Sequence, residues 1–208
     1  MNAERKPDGP RIYLAGPDVF RPKAMELAAE DIAILAKNGL VGIFPCDCEN
    51  DEPKNHSAAE EGTNPLREAE RIFNGNVALI AACDAVLADA SPFRGSAIDP
   101  GTAFEIGLAV AMGKPVIVRT MESRDLADRI EGKSFADGVI VDRNGAFVEN
   151  FGLSENLMID IAARRSGHPP IRRTEGETRA ELAERAAVAI EKILRERATE
   201  QAGGKTQP

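Results

Sequence analysis

The chain has no tryptophan and a single tyrosine, Tyr13, in 208 residues. Its core must therefore rest on Leu, Ile, Val, Ala and Phe, and a hydrophobic fraction of 43% leaves room for a full α/β core. Cysteine is also scarce. Cys46, Cys48 and Cys83 make an odd count with no disulfide framework. The Cys46-Asp47-Cys48 pair lacks the further cysteines or spaced histidines of a metal site, and His56 and His168 have no evident partners, so no metal is assigned. Basic residues are outnumbered. A formal net charge of −8 argues against a nucleic-acid binder, but it does not exclude nucleosides, which carry no phosphate. No apolar run approaches membrane-spanning length, and no charged-then-apolar leader opens the sequence. A cytoplasmic protein with no membrane partner is expected. There is no internal repeat, no GxGxxG and no Walker loop, which counts against dinucleotide and nucleoside-triphosphate enzymes.

What is present alternates. Residues 11–15 read as a strand ending at Gly16-Pro17, and 22–38 as a helix stopped by Gly39. A second strand, 40–44, ends at Pro45. The polar stretch 46–64 is long enough to suggest a binding loop. A helix over 65–82, a strand over 85–88, a helix over 100–112 and a strand over 116–118 follow. Residues 139–149 offer a last strand or hairpin, and 156–163 a short helix. The pattern predicts a flavodoxin-like, doubly wound, mostly parallel five-stranded sheet with helices on both faces. The main domain is expected over 10–163. A charged linker (164–177) and an amphipathic helix (178–198) follow, with frayed ends at 1–9 and 199–208.

The most informative segment is CDAVLADASPFRGSAIDPGTAFEIG, residues 83–107. It reads as strand, loop and helix start, and in open α/β sheets ligands bind beyond the carboxyl ends of the strands. Asp99 and Glu105 arrive there six residues apart, one on a helix cap and one on a helix face. Paired carboxylates in unlike environments can divide into an acid and a nucleophile. Asp99 before Pro100 is also a good helix start, and the two readings are compatible. Glu105 stands in an apolar helical patch, where exposure is the ordinary outcome. The small neighbours Gly101, Thr102 and Gly107 favour close approach of a ligand instead. Tyr13 reads as a half-buried strand aromatic or as a phenol orienting a carboxylate. Phe20 is core or an apolar wall for a flat base. Ser91, Phe93 and Arg94 are turn residues, unless Arg94 binds an anion or holds Asp89 or Asp99. Asp84, at the start of its strand, is given a structural role, and Asp89 lies nearer the site.

These pieces together resemble the nucleoside 2-deoxyribosyltransferases. The resemblance spans roughly residues 10–160 and rests on five segments in order: IYLAGPDVF (12–20), FPCDCEN (44–50), NVALIAACDAVLADASPFRG (76–95), DPGTAFEIGLAVAMGKPV (99–116) and FGLSENLMI (151–159). SPFRG followed by D-x-GTAFE-x-G is most similar to the branch found in trypanosomatids and many bacteria. The resemblance implies that Glu105 is the nucleophile at the anomeric carbon. Asp99 would be the acid and base toward the nucleobase, and Tyr13 the phenol bonded to the nucleophile. It places Gly16, Phe20, Asp47, Asn76, Asp89, Ser91, Phe93, Arg94 and Gly101 along the substrate cleft. Asn156 and Met158 would come from a neighbouring subunit to the sugar 5′-hydroxyl, so a homodimer or higher homo-oligomer is implied.

The implied reaction is base exchange between 2′-deoxynucleosides and free nucleobases, with retention through a glycosyl-glutamate and without a cofactor. Three features depart from the family pattern. Asn76 falls where some branches carry Asp, and an amide can only position. Cys46 and Cys48 stand where other residues are expected near the base. About fifty residues follow Met158, whereas the lactobacillus-type branch ends soon after that region and places its terminal carboxylate in the site. Two rival readings remain. In a deoxynucleoside or deoxynucleotide N-glycosidase, water would replace the acceptor base, and a phosphate pocket near Ser91 and Ser96 would be needed for nucleotides. A non-catalytic nucleoside-derivative sensor would be expected to lack Glu105 or Asp99.

Overall fold

The computed structural model describes residues 9–45, 64–136 and 138–203. Five strands form one parallel sheet in the order β2-β1-β3-β4-β7: β1 (Arg11–Ala15), β2 (Val41–Ile43), β3 (Ala85–Asp89), β4 (Val116–Thr120) and β7 (Ile171–Arg172). Helices α1 (Ala24–Lys37) and α6 (Arg179–Gly203) cover one face. Helices α2 (Pro65–Ala82), α3 (Pro100–Ala111) and α5 (Leu157–Arg165) cover the other. This is the expected doubly wound, flavodoxin-like architecture. Parallel strands buried on both faces read as near-continuous apolar runs, and β3 and β4 are buried at every residue, with polar groups only at their carboxyl ends.

Local chemistry sets the element ends. Asn64, Asp99 and Asn156 cap α2, α3 and α5, each accepting a hydrogen bond from the backbone N–H two or three residues on. Pro65 and Pro100 occupy first helical positions, where a missing N–H costs nothing. Gly39 and Gly113, both at φ 72°, end α1 and α3 in the left-handed region.

Side-chain alternation splits the core in two. Ile12, Leu14, Leu87 and Ile117 point toward α1 and α6, while Tyr13, Val86, Ala88 and Val118 point toward α2, α3 and α5.

Three expectations are corrected. The fifth strand of the sheet is β7, inside the stretch read as a linker. It is two residues long, too short for periodicity to show, and pairs through Arg119↔Ile171 and Thr120↔Arg172. The candidate strand or hairpin near 139–149 is β6 (Val139–Val141). It pairs antiparallel with β5 (Ser134–Ala136) in a separate two-stranded sheet that follows the short helix α4 (Leu126–Arg129). The last helix runs to Gly203 rather than 198, and its Leu182, Ala183, Ala186, Ala187 and Ile190 lie in the core beside Ile12 and Leu14. The expected frayed ends at 1–8 and 204–208 lie outside the described residues, as do most of the loop 46–64 and, within it, Cys46, Asp47, Cys48 and His56. Among the described residues, no helix is long and apolar enough to cross a membrane.

Because α6 fills one face of the sheet, truncating a side chain in that contact should behave as a core substitution. Ile190 is fully buried, and Ile190→Ala is expected to cost about 2–4 kcal/mol of unfolding free energy in urea titration.

Candidate active site

Strand order reverses direction between β1 and β3, and that switch point opens a crevice beyond their carboxyl ends. Gly16 leads from β1 into a 3-10 turn, Pro17–Phe20. β3 leads into Ser91–Arg94 and then to Asp99 at the start of α3. A Cβ on Gly16 would stand 3.1 Å from the Cβ of Asp89, so a glycine lets the two strand ends close up.

Tyr13 and Glu105 meet on the α3 side. The Tyr13 hydroxyl, fully buried in β1, donates to Glu105 Oε1 at 2.5 Å. Of the two sequence expectations for Tyr13, the half-buried aromatic is replaced by a wholly buried one, and the phenol bonded to a carboxylate is the geometry found. Glu105 is half-buried, and burial pushes its carboxyl up to about 7. The bond from Tyr13 works in the other direction, and the negative charge of Asp99 adds to the rise. Asp99 is the N-cap of α3. Its Oδ2 accepts from Thr102 N at 3.0 Å and from Thr102 Oγ1 at 3.3 Å. A Cβ on Gly101 would lie 3.0 Å from that oxygen, so Gly101 gives the cap its space. Asn76 is half-buried on α2, the helix beside α3 on this face.

The rim of the crevice is aromatic. Phe20 and Phe93 stack with ring centroids 5.5 Å apart, and the Arg94 guanidinium lies 5.3 Å and 4.8 Å from the two centroids. Arg94 adopts φ 55°, the left-handed region. Its expected hold on Asp89 or Asp99 is not the geometry found. Asp89 points to the opposite face of the sheet, where Arg119 Nε lies 3.6 Å away and Ser91 N donates to its Oδ1 at 2.8 Å. The side chain is committed to the structure beneath the crevice. Ser91 is buried, and its hydroxyl accepts from Met121 N at 2.9 Å. Asp84 accepts from Arg11 N at 2.7 Å, the structural role expected of it.

Asn156 caps α5. Its Oδ1 accepts from Met158 N, and its Nδ2 donates to Glu149 Oε1 at 3.0 Å. Met158, 71% exposed, projects from the first turn. Glu155 was not singled out by sequence, yet it joins this segment to the loop before α3. Its carboxylate accepts from Ile98 N at 3.0 Å, next to Asp99, and from Asn156 N at 3.0 Å, and it is paired with Arg129 at 3.2 Å.

The family model for nucleoside 2-deoxyribosyltransferases matches residues 12–158. This chain belongs to the nucleoside 2-deoxyribosyltransferase family. A solved 2-deoxyribosyltransferase from Leishmania mexicana is 31% identical, with a TM-score of 0.59, over 88% of this chain and 97% of that one. An uncharacterized protein of Schizosaccharomyces pombe is 30% identical over 173 residues, 76% of this chain and 79% of that protein. A 2-deoxyribosyltransferase from Bacillus psychrosaccharolyticus is 22% identical, with a TM-score of 0.43, over 62% of this chain and 87% of that one.

The family match ends before β7 and α6, so what those elements bring is outside it. The charged residues that frame the crevice from below (Asp18, Asp31, Arg119 and Arg179) were also missed by sequence reading. Asp31 and Arg179 do stand at helical spacing with buried residues, Asp31 with Ala28, Ile34 and Leu35 and Arg179 with Leu182, Ala183 and Ala186, and that periodicity is the signal that could have found them.

The raised carboxyl of Glu105 has a consequence for stability. A group that binds its proton more tightly folded than unfolded stabilises the fold at low pH. That stabilisation falls between the unfolded value, near 4.5, and the folded one, near 7. Glu105→Gln keeps an acceptor for Tyr13 and removes the charge. Its melting temperature is expected to rise relative to wild type as pH goes from 5 to 8, by the equivalent of at most about 3 kcal/mol. A gap that does not widen with pH would contradict the assignment.

Proposed function

We propose that this protein exchanges the base of 2′-deoxynucleosides, with Glu105 as nucleophile and Asp99 as the acid and base toward the nucleobase. The observation that carries this reading is the Tyr13–Glu105 bond at the switch-point crevice. It ties up Oε1 of the carboxylate and leaves Oε2 to attack C1′. The C1′–N bond breaks through an oxocarbenium-like state, and C1′ is captured as a glycosyl ester of Glu105. Asp99 gives its proton to the departing base. An incoming base then attacks C1′ from the vacated face, the ester C–O bond breaks, and Asp99 takes a proton from the new base. Two inversions give retention, and the kinetics are ping-pong. Phe20 and Phe93 supply flat apolar surface for a base. Hydrolysis of a nucleotide is less well supported, because Ser91, a candidate phosphate ligand, is buried.

The reading includes a second copy of this chain. The outer faces of α2, α3 and α5 expose Phe73, Phe104, Val110 and Met158, and Phe73 and Phe104 touch with centroids 5.9 Å apart. A helix apolar on its outer side, as α3 is, is suited to burial against another subunit. Asn156 and Met158 would then reach the sugar of the neighbouring site.

Chromatography of deoxyinosine or thymidine, with and without free adenine or cytosine, tests the chemistry. New deoxynucleoside should appear only when a base is added. The rate should fall at least about a thousandfold in Glu105→Ala and rise with pH through about 7, as Glu105 ionises. Free base released equally without an acceptor would make the protein a hydrolase instead.

Co-expression tests the shared site. Glu105→Ala and Asn156→Ala should each be inactive alone. Mixed dimers, having one intact site in two, should restore about a quarter of wild-type activity. No recovery in verified mixed dimers would place both residues in one subunit's site.

A further inference from the structure

Beneath the crevice, on the face away from Glu105, lies a buried chain of alternating charges. Arg119, on β4, forks onto Asp31 of α1, with Nη1 to Oδ1 at 2.9 Å and Nη2 to Oδ2 at 2.5 Å. Its Nε faces Asp89 at the end of β3. Burial disfavours the charged guanidinium, but the Asp31 carboxylate outweighs this and raises its pKa. Arg179, in the first turn of α6, extends the chain. Its Nη2 donates to Asp31 Oδ2 at 2.8 Å and to Asp18 Oδ2 at 2.7 Å. The other oxygen of Asp18 accepts from Arg21 Nε at 2.9 Å. A small hollow lined by Gly16, Asp18, Asp31, Asp89 and Arg119 lies between these groups.

Asp18 sits in the middle of the Pro17–Phe20 turn, two residues before Phe20. Four residues of 3-10 helix have little stability of their own. This turn follows a glycine, and at its end Arg21 N donates to Asp18 O. Its position depends on tertiary contacts: Val19 packs on the core, Phe20 stacks on Phe93, and the Asp18 carboxylate supplies the charged ones. The two walls of the crevice are thus joined twice. The Phe20–Phe93 stack joins them at the rim, and the chain Asp18–Arg179–Asp31–Arg119–Asp89 joins them underneath.

We propose that Arg179 is a positioning residue: through Asp18 it holds the turn that carries Phe20, so that the last helix sets the base-facing wall of the crevice. This rests on the reading of that wall as the nucleobase site. Arg179 reaches no reacting atom, and it lies outside the segment matched by the family model. Its removal leaves Asp31 with Arg119 and Asp18 with Arg21, and α6 keeps its core contacts through Leu182, Ala186 and Ile190. The fold should survive while the turn loosens.

The test compares Arg179→Ala and Arg179→Lys with wild type. Base-exchange kinetics and hydrogen exchange over residues 16–21 are read together. Arg179→Ala should raise KM for the deoxynucleoside about tenfold while kcat stays within about threefold, because the Glu105 side of the site is untouched. Exchange over the turn should quicken. Arg179→Lys should recover part of both, since an ammonium can stand where Nη2 bridges the two carboxylates, although it loses the second contact, Nη1 to Asp31 Oδ1 at 3.3 Å. Unchanged KM and unchanged exchange in Arg179→Ala would overturn the proposal. A collapse of melting temperature with kcat and KM lost together, unrelieved by lysine, would also overturn it by showing a merely structural role. If wild type exchanges no bases, the proposed function fails, and the hydrogen exchange still decides whether Arg179 holds the turn.

Discussion

One short hydrogen bond, from Tyr13 on the first strand to Glu105 on the third helix, fixes what the crevice can do. It requires a strand residue to face α3 and a helix residue to face the sheet at the same height. A buried phenol holding a carboxylate in a partly water-excluded site keeps that carboxylate aimed. Desolvation raises its pKa, so the group that must ionise sits poised near neutrality. Other parts of the site serve the same alignment. The Asp99 cap fixes where α3 begins, Gly101 gives the cap room, and Gly16 lets the ends of β1 and β3 close together.

Strand alternation divides the labour between the two faces of the sheet. Tyr13 and Ala88 face the chemistry, while their chain neighbours Leu14 and Asp89 face α1 and α6. Asp89 and Glu105 are both carboxylates near the carboxyl end of the sheet, yet they belong to different environments because of one step in period. The face with Glu105 leaves its acid partly desolvated and beside the like charge of Asp99. The opposite face neutralises Asp89 and Asp31 against Arg119.

That division explains what could be read in the chain and what could not. The alternation of apolar runs with helical periodicity makes the doubly wound sheet and its first four strands legible, along with the cap at Asp99. Asp99 is legible as a candidate because it begins a helix, Glu105 because it stands on that helix among small residues, and Tyr13 because it lies just before the strand-ending Ala15-Gly16-Pro17. The two-residue β7 is not, since Ile171-Arg172 is too short to show a period and lies among charges. The seat of Asp89 is not, because its partner Arg119 is thirty residues on, at the end of an otherwise apolar strand. Arg179 is less visible still. Its spacing from Leu182, Ala183 and Ala186 puts it on the buried side of α6, but that spacing names no partner, and only the packing of α6 beside α1 brings it to Asp31. Long-range pairing of buried charge leaves no local pattern.

Such a cluster is a poor way to gain stability. Desolvating three carboxylates and their arginines costs several kcal/mol per ion, and well-packed apolar residues of similar volume are often as stable. What charged forks provide is direction. Arg119 meets Asp31 with two nitrogens on two oxygens, and Arg179 does the same while its Nη2 also reaches Asp18. Apolar side chains in the same space would tolerate sliding of the Pro17–Phe20 turn against β3, whereas the forks admit few arrangements. On the proposed reading, the crevice holds a flat ring against Phe20 and Phe93 while Glu105 meets a carbon on the other side, and this needs its two walls in fixed relation. The ion chain lies where that relation is set, at the shared base of both loops.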